Sequence, residues 1–330
     1  VSTAAEGRAR LTWAELPDGV TRLVSERLGE SVVRAVSHDG GYSPGLASTL
    51  VLGSGERVFV KAVVPAEHPR SGELYRKEAA VAPVLAGEVG AVLPAPAFRW
   101  SAEAQVSTAA GSQDWVVLAF DAADGPGPQL PWQPAELAEA LDLVADVGRI
   151  AAPDHPQIPP VTEMVFDGWH LLTADAGLQQ RLARLDEVLG PWLLARIETL
   201  AALADTWPQV SAGTALVHHD LRADNMVRAG GRLLAVDWPY ASVGAPWLDL
   251  LGMMPSVALE GGGDPEEVFT AHPVGAAADP EAVTAVVAAF TGYFLERSLR
   301  PPPPGIPHLR AFQRDQGLVC ARWLRTRLGN

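Results

Sequence analysis

Apolar and polar positions follow two periods along this chain, and the dominant period changes near residue 120. Helical spacing over 13–28 leads into strands predicted at 31–37, 46–52 and 57–64, the last two joined by Gly53-Ser54-Gly55. A helix over 72–87 follows, then short strands at 98–101 and 114–120, with AEAQVSTAAGSQ between them read as a polar loop. DAADGPGPQLPWQP then breaks the pattern with Pro, Gly and Asp, as a linker does. Beyond it, helical spacing dominates at 135–151, 178–206, 247–257, 280–299 and 308–328. One strand-rich island, 215–236, interrupts it, and PPPPG at 301–305 reads as a stiff spacer. The expectation is an α+β chain of two lobes. Residues 1–120 form a small β-rich lobe and 121–330 a larger, mainly helical one, with the ligand site where they meet.

Against this background a few polar residues contradict their own pattern. In RVFVKAVV, alternation puts Phe59, Lys61 and Val63 on one strand face, so Lys61 shares an apolar surface. On the following helix Leu74, Glu78, Val81 and Leu85 fall on one stripe, while Glu73 is placed to pair with Lys77 on the outer face. A lysine and a carboxylate on apolar faces each need a partner, so Lys61 is matched with Glu78. Upstream, GGYSPG places Gly40, Gly41 and Ser43 where backbone N–H groups can approach phosphates. No GxxxxGK[ST] occurs in the chain, so this is not a Walker A loop.

The island carries the densest chemistry. ALVHHD reads as a strand that ends in polar residues, and MVRAGGRLLAVD as a hairpin turning at Gly230-Gly231. Counting back from that turn pairs Ala229 with Arg232 and Asn225 with Val236, which brings Asn225 and Asp237 to the same end. An amide oxygen and a carboxylate there suit Mg²⁺. Asp220, just upstream, can orient a hydroxyl and accept its proton. Arg222 is placed either to meet a transferred phosphate or to brace the loop through a salt bridge. His218 and His219 point to opposite sides of a strand and cannot readily share a metal. Asp249, amid apolar residues in GAPWLDLLG, reads as a buried brace for this loop. A lysine, then His-x-Asp-x-x-x-x-Asn, then Asp is the order of parts that phosphoryl transfer from ATP with magnesium uses.

VFVKAV, YRKEAAV, VHHDLRADN and VDWPYASVGAPWLDL together resemble the aminoglycoside phosphotransferase family of small-molecule kinases, which has a protein-kinase-like fold. The resemblance spans residues of about 40 to 255. It implies Asp220 as the catalytic aspartate, Asn225 and Asp237 as magnesium ligands, and Lys61 with Glu78 as the phosphate-positioning pair. It also implies adenine recognition by backbone groups near Ala119–Asp121. Two departures stand out: His219 occupies a position where the family has a small or apolar residue, and Trp238-Pro239 follows Asp237. No Ala-Pro-Glu segment follows, which disfavours a protein kinase.

Composition narrows the function classes. A net charge of −14 disfavours nucleic-acid binding and either serves general solubility or favours a cationic form of the small hydroxylated substrate that the resemblance implies. Glu163, Asp167 and Asp175, with Glu260, Asp264, Glu266 and Glu267, are the acids that could attract it. The single cysteine, Cys320, excludes an internal disulfide and a cysteine-based zinc site. No apolar run reaches membrane-spanning length, and the first residues lack a signal-peptide plan, so a cytoplasmic protein is expected. The expected activity is transfer of the ATP γ-phosphate to a small-molecule hydroxyl, with aminoglycoside-like antibiotics or metabolites as acceptors. The alternatives are a kinase of choline-like, homoserine or sugar acceptors, and a catalytically silent nucleotide-binding module.

Overall fold

The computed structural model describes residues 10–38, 45–108, 111–303 and 306–329. Gly40, Gly41 and Ser43 of the glycine-rich segment, and Pro304 and Gly305 of the PPPPG spacer, lie outside the described residues. The chain divides into two compact units, Val1–Gly127 with Ala223–Tyr240, and Pro128–Arg222 with Ala241–Asn330.

The first unit is built on strands β1 (Val32–Ser37), β2 (Leu46–Leu52), β3 (Arg57–Val63), β4 (Phe98–Thr108) and β5 (Gly111–Asp121). They form one antiparallel sheet in the order β1-β2-β3-β5-β4. Its two faces follow the residue parity of β3. Val58, Val60 and Ala62 pack with Leu46, Leu50, Val117 and Ala119 beneath helix α1 (Asp18–Leu28), which contributes Val20 and Val24. Val63 packs on the other face with Val116, Leu118 and Tyr75 of helix α2 (Pro69–Val84). The predicted helix over 13–28 is two pieces, a single turn at Trp13–Glu15 and then α1, because Pro17 has no N–H with which to continue a helix.

The stretch AEAQVSTAAGSQ, expected as a loop, belongs largely to a long β4–β5 hairpin paired from Phe98↔Phe120 to Thr108↔Gly111. Ala102, Ala104 and Val106 alternate with Glu103 and Gln105, and only Val106 is fully buried. An edge strand with one weakly apolar face carries little periodic signal, yet its pairing runs without a shift from Trp100 to Thr108.

Two further strands of the first unit, β7 (Met226–Ala229) and β8 (Arg232–Ala235), form a hairpin. A single cut at residue 120 therefore misplaces it. The Ala235 N–H donates to Pro94 O at 2.7 Å, and those of Asp124 and Gly125 both donate to Arg228 O, at 3.1 and 3.0 Å. These backbone bonds outweigh sequence order in deciding where the hairpin belongs.

The second unit contains α3 (Pro134–Gly148), α4 (Gly168–Ala174), α5 (Ala176–Ala183), α6 (Leu189–Leu194), α7 (Ile197–Ala204), α8 (Trp207–Val210), α9 (Leu248–Leu259), α10 (Pro265–Ala271), α11 (Pro273–Ala276), α12 (Pro280–Ser298) and α13 (Leu309–Arg327). Strands β6 (Ala215–Val217) and β9 (Ser242–Gly244) pair antiparallel among them. The continuous helix expected over 178–206 is instead α5, α6 and α7. Asp186 breaks it by accepting the N–H groups of Val188 and Leu189, both at 2.9 Å, as a turn-forming carboxylate does.

Gly45, the residue entering β2, has φ +113°, and a Cβ there would lie 2.5 Å from Ala62 O. Gly55 has φ +89° but open space around it. Gly45→Ala should therefore destabilise the protein by about 1–3 kcal/mol or more, and Gly55→Ala by less, because only the first adds a backbone clash to the strained φ. Urea denaturation of both variants checks the order.

Candidate active site

In the first unit, strand parity carries Lys61 to the α2 side of the sheet, where the residue is 5% exposed. It forms ion pairs with Glu78 of α2 and with Asp237, and its ammonium lies 5.2 Å from the Tyr75 ring centroid and 5.8 Å from that of Phe120. The Lys61–Glu78 match expected from periodicity is present, as is the outer pair of Glu73 with Lys77, at 3.1 Å. Tyr75 rather than Leu74 fills the buried stripe of α2 one turn before Glu78. Burial opposes the charge on Lys61, but Asp237 and Glu78 hold its pKa above the usual lysine value. Burial pushes the Glu78 carboxyl up to about 7 against the pull of Lys61, and the Trp238 N–H also donates to that carboxylate.

Asp237 enters this cluster from the end of the β7–β8 hairpin. Gly230 and Gly231 turn the hairpin with φ of 59° and 80°, values a tight two-residue turn requires. Ala229 pairs with Arg232, and the Val236 N–H donates to Asn225 O at 3.0 Å, so the register counted from the sequence holds. Asp237 has φ 63°, a left-handed conformation uncommon outside glycine and persistent only where the surroundings impose it. Here the next residue imposes it: Trp238 is buried, and its indole N–H donates to Ala235 O at 3.1 Å.

Sequence reading missed the Lys61–Asp237 pair. The two residues lie 176 positions apart, and no local period connects them.

Two carboxylates face one ammonium in this cluster, and the Asp237 side chain is the accessible member at 53% exposure, against 4% for Glu78. With Glu78 ionised, negative charge is in excess and suits a further cation. Asn225 and Asp237 offer hard oxygen donors. Among the described residues no group of three or more His, Cys, Asp or Glu side chains could hold a metal ion unaided. A cation here would complete its shell with ligand and water oxygens, as Mg²⁺ does readily. The residues fit that ion.

The second unit holds the loop after β6. Asp249, in the first turn of α9, accepts the N–H groups of His218 and His219, each at 2.7 Å. Burial pushes its carboxyl up, while His218 and these two N–H groups pull it back. His218 is fully buried, and its Nδ1 accepts the Asp220 N–H at 3.3 Å. The loop backbone is thus fixed from both sides, which leaves the Asp220 side chain 42% exposed. The Arg222 Nε lies 3.4 Å from Asp220 Oδ1, and the Arg222 guanidinium sits 4.8 Å from the Phe312 ring. His219 has φ 69°, a left-handed conformation that favours glycine over a residue with a side chain. Burial depresses its pKa to about 3, so its ring is neutral.

Other expected contributors have different surroundings. Ala119 is fully buried within the sheet, flanked by Val60 and Trp100, and the Asp121 N–H donates to Ala97 O at 2.8 Å. The Asp121 N–H is thus already engaged within the first unit. Several acids expected to attract a cationic acceptor have structural bonds. Glu260 accepts the Trp132 indole N–H at 3.1 Å, Asp175 and Asp264 cap α5 and α10, and Glu266 binds Trp323 and Arg327.

Comparison with curated proteins gives no match. Solved structures share the fold at low identity. Choline kinase LicA from Streptococcus pneumoniae is 13% identical, with 93% of this chain and 100% of that one covered and a TM-score of 0.53. A spectinomycin phosphotransferase, solved with ADP and spectinomycin, is 12% identical over 93% and 98% of the two chains, with a TM-score of 0.54. The macrolide 2′-phosphotransferase MphH from Brachybacterium faecium is 15% identical over 93% and 97%, with a TM-score of 0.50. The α+β, protein-kinase-like expectation therefore stands. The phosphotransferase enzyme family model matches residues 43–300. With most of its length inside that match, the chain belongs to the phosphotransferase enzyme family.

Proposed function

We propose that this protein transfers the γ-phosphate of ATP to a hydroxyl of a small molecule. The observation that carries the reading is the Lys61–Glu78–Asp237 cluster, a fixed ammonium beside an exposed carboxylate with negative charge in excess. Lys61, held by two carboxylates, presents a positioned positive charge to the nucleotide phosphates. Asn225 and Asp237 hold Mg²⁺, which when bound neutralises phosphate charge. Asp220 orients the acceptor hydroxyl and takes its proton at a carboxylate oxygen. Arg222, beside Asp220, meets charge on the transferred group. Backbone groups at Ala122 and Ala123, just past β5, receive the adenine in place of Ala119 and Asp121. The retained Lys61, Asp220, Asn225 and Asp237 weigh against a catalytically silent module.

The acceptor is a small hydroxylated molecule. The relatives named above include enzymes of spectinomycin, macrolides and choline, so their names alone do not choose among acceptor classes. The engagement of Glu260, Asp264, Glu266 and Asp175 in structural bonds gives little support to a cationic preference.

Asp220→Asn should keep the fold and ATP affinity while lowering turnover by roughly 10²–10⁴-fold. The check is a Mg²⁺-ATP assay across a library of antibiotic, sugar and amino-alcohol acceptors, with products read by mass spectrometry. Phosphoryl transfer at wild-type rate by this variant would falsify the role of Asp220, and absence of transfer to every acceptor class would count against the reaction itself.

Lys61→Met should raise the ATP KM and lower kcat/KM by about 10–100-fold, the range expected for a lost charged hydrogen bond. Glu78→Gln should cost less, because Asp237 still holds the ammonium. Steady-state kinetics of the two variants tests that order, and a larger loss for Glu78→Gln contradicts it.

A further inference from the structure

Outside these residues, charge converges where α12 meets α13 in the second unit. Glu296 is 1% exposed, and Arg300 Nε donates to its Oε1 at 2.5 Å. Arg297 Nε lies 3.6 Å from Glu296 Oε2, too far for a hydrogen bond, and that oxygen has no hydrogen-bond partner among the described residues. From the first turn of α13, Arg310 donates through Nε to Pro301 O at 2.9 Å and through Nη1 to Gln313 Oε1 at 2.8 Å. Arg297 and Arg300 act electrostatically on Arg310, as does Glu296.

Two guanidiniums thus lie against one carboxylate, with Arg310 near enough to act on them electrostatically, in a chain whose net charge is −14. Burial, then the charges of Arg297 and Arg300, lower the Arg310 pKa from its usual value. The Arg297 and Arg300 side chains remain 34% and 39% exposed. Their terminal nitrogens, and Nη2 of Arg310, make no hydrogen bond among the described residues. Arg297 and Arg300 converge on the one Glu296 carboxylate with their outer donors accessible, and the guanidinium fork matches a planar or tetrahedral oxyanion. Beside them, the Tyr293 ring lies 5.6 Å from the Arg297 guanidinium and 5.3 Å from the Phe294 ring. This half-buried aromatic wall suits the carbon skeleton of an organic anion.

The geometry points to an oxyanion-binding site formed by Arg297, Arg300 and Arg310, which takes the phosphate or carboxylate group of a small molecule. It is independent of the phosphoryl-transfer chemistry and can be tested without it. Isothermal calorimetry on the full chain, at constant ionic strength set with chloride, would use inorganic phosphate, acetate and glycerol 3-phosphate as probes. At least one of them should bind saturably to the wild type. Arg297→Gln and Arg300→Gln should each weaken that binding by about tenfold or more, the loss expected for one charged hydrogen bond.

The Arg297 side chain makes no hydrogen bond among the described residues, so its variant keeps the test interpretable if Arg310→Gln fails to fold. Tighter binding of glycerol 3-phosphate than of inorganic phosphate would assign the anion to a hydroxylated organic molecule. The reverse order would assign it to free phosphate. Absence of saturable binding by all three probes, or binding unchanged in both Arg297→Gln and Arg300→Gln, overturns the proposal. The second result would place any bound phosphate elsewhere, including at the residues assigned to the nucleotide, so failure here leaves the phosphotransferase reading standing.

Discussion

A lysine buried on the apolar face of a sheet is tolerable only if its charge is matched, and the first unit is organised around that requirement. Lys61 is held by Glu78 from α2 and by Asp237 from the end of the β7–β8 hairpin. The neighbouring α2 and the distant β7–β8 hairpin are thereby fixed to one ammonium of β3. Removing either partner leaves charge poorly compensated in a low-dielectric setting, which is why such pairs are costly to break even where they contribute little net stability. The constraint also sets up the chemistry. Two carboxylates against one ammonium leave a local negative excess, and the accessible share of it lies on Asp237.

The second unit solves a different problem with the same means. The loop after β6 must leave the Asp220 carboxylate accessible while its backbone runs through the protein interior. Asp249 binds two successive N–H groups of that loop, and His218 binds the amide of Asp220 itself. The buried polar residues hold the backbone, and the Asp220 side chain remains half-exposed. Support of this kind fixes the position from which the Asp220 carboxylate projects.

Much of this was legible in the sequence because it rests on local period. Lys61 and Glu78 each contradicted an apolar stripe, so each demanded a partner. The hairpin register followed from Gly230-Gly231, and the brace from Asp249 followed from a carboxylate amid Trp247, Leu248 and Leu250. The Lys61–Asp237 contact was not legible, because long-range pairing leaves no mark in either segment. The β4 edge strand was missed because Ala102 and Ala104 carry too little hydrophobic contrast with their polar neighbours. The helix over 178–206 was overextended because the turn at Asp186 works through one side chain, while the apolar spacing continues across it. The acids first read as an attractive field proved harder still. Glu260 and Glu266 bind indole N–H groups far away in the sequence, and nothing in their neighbours signals it.

The central claim is that Asp237 carries the negative excess that a nucleotide-bound cation answers. Calorimetric titration of ATP into the wild type and into Asp237→Ala, each with and without Mg²⁺, tests it most directly. The account predicts that Mg²⁺ strengthens ATP binding in the wild type and that this gain disappears in the variant. Equal ATP affinity with and without Mg²⁺ in the wild type, or an undiminished Mg²⁺ effect in Asp237→Ala, would contradict it.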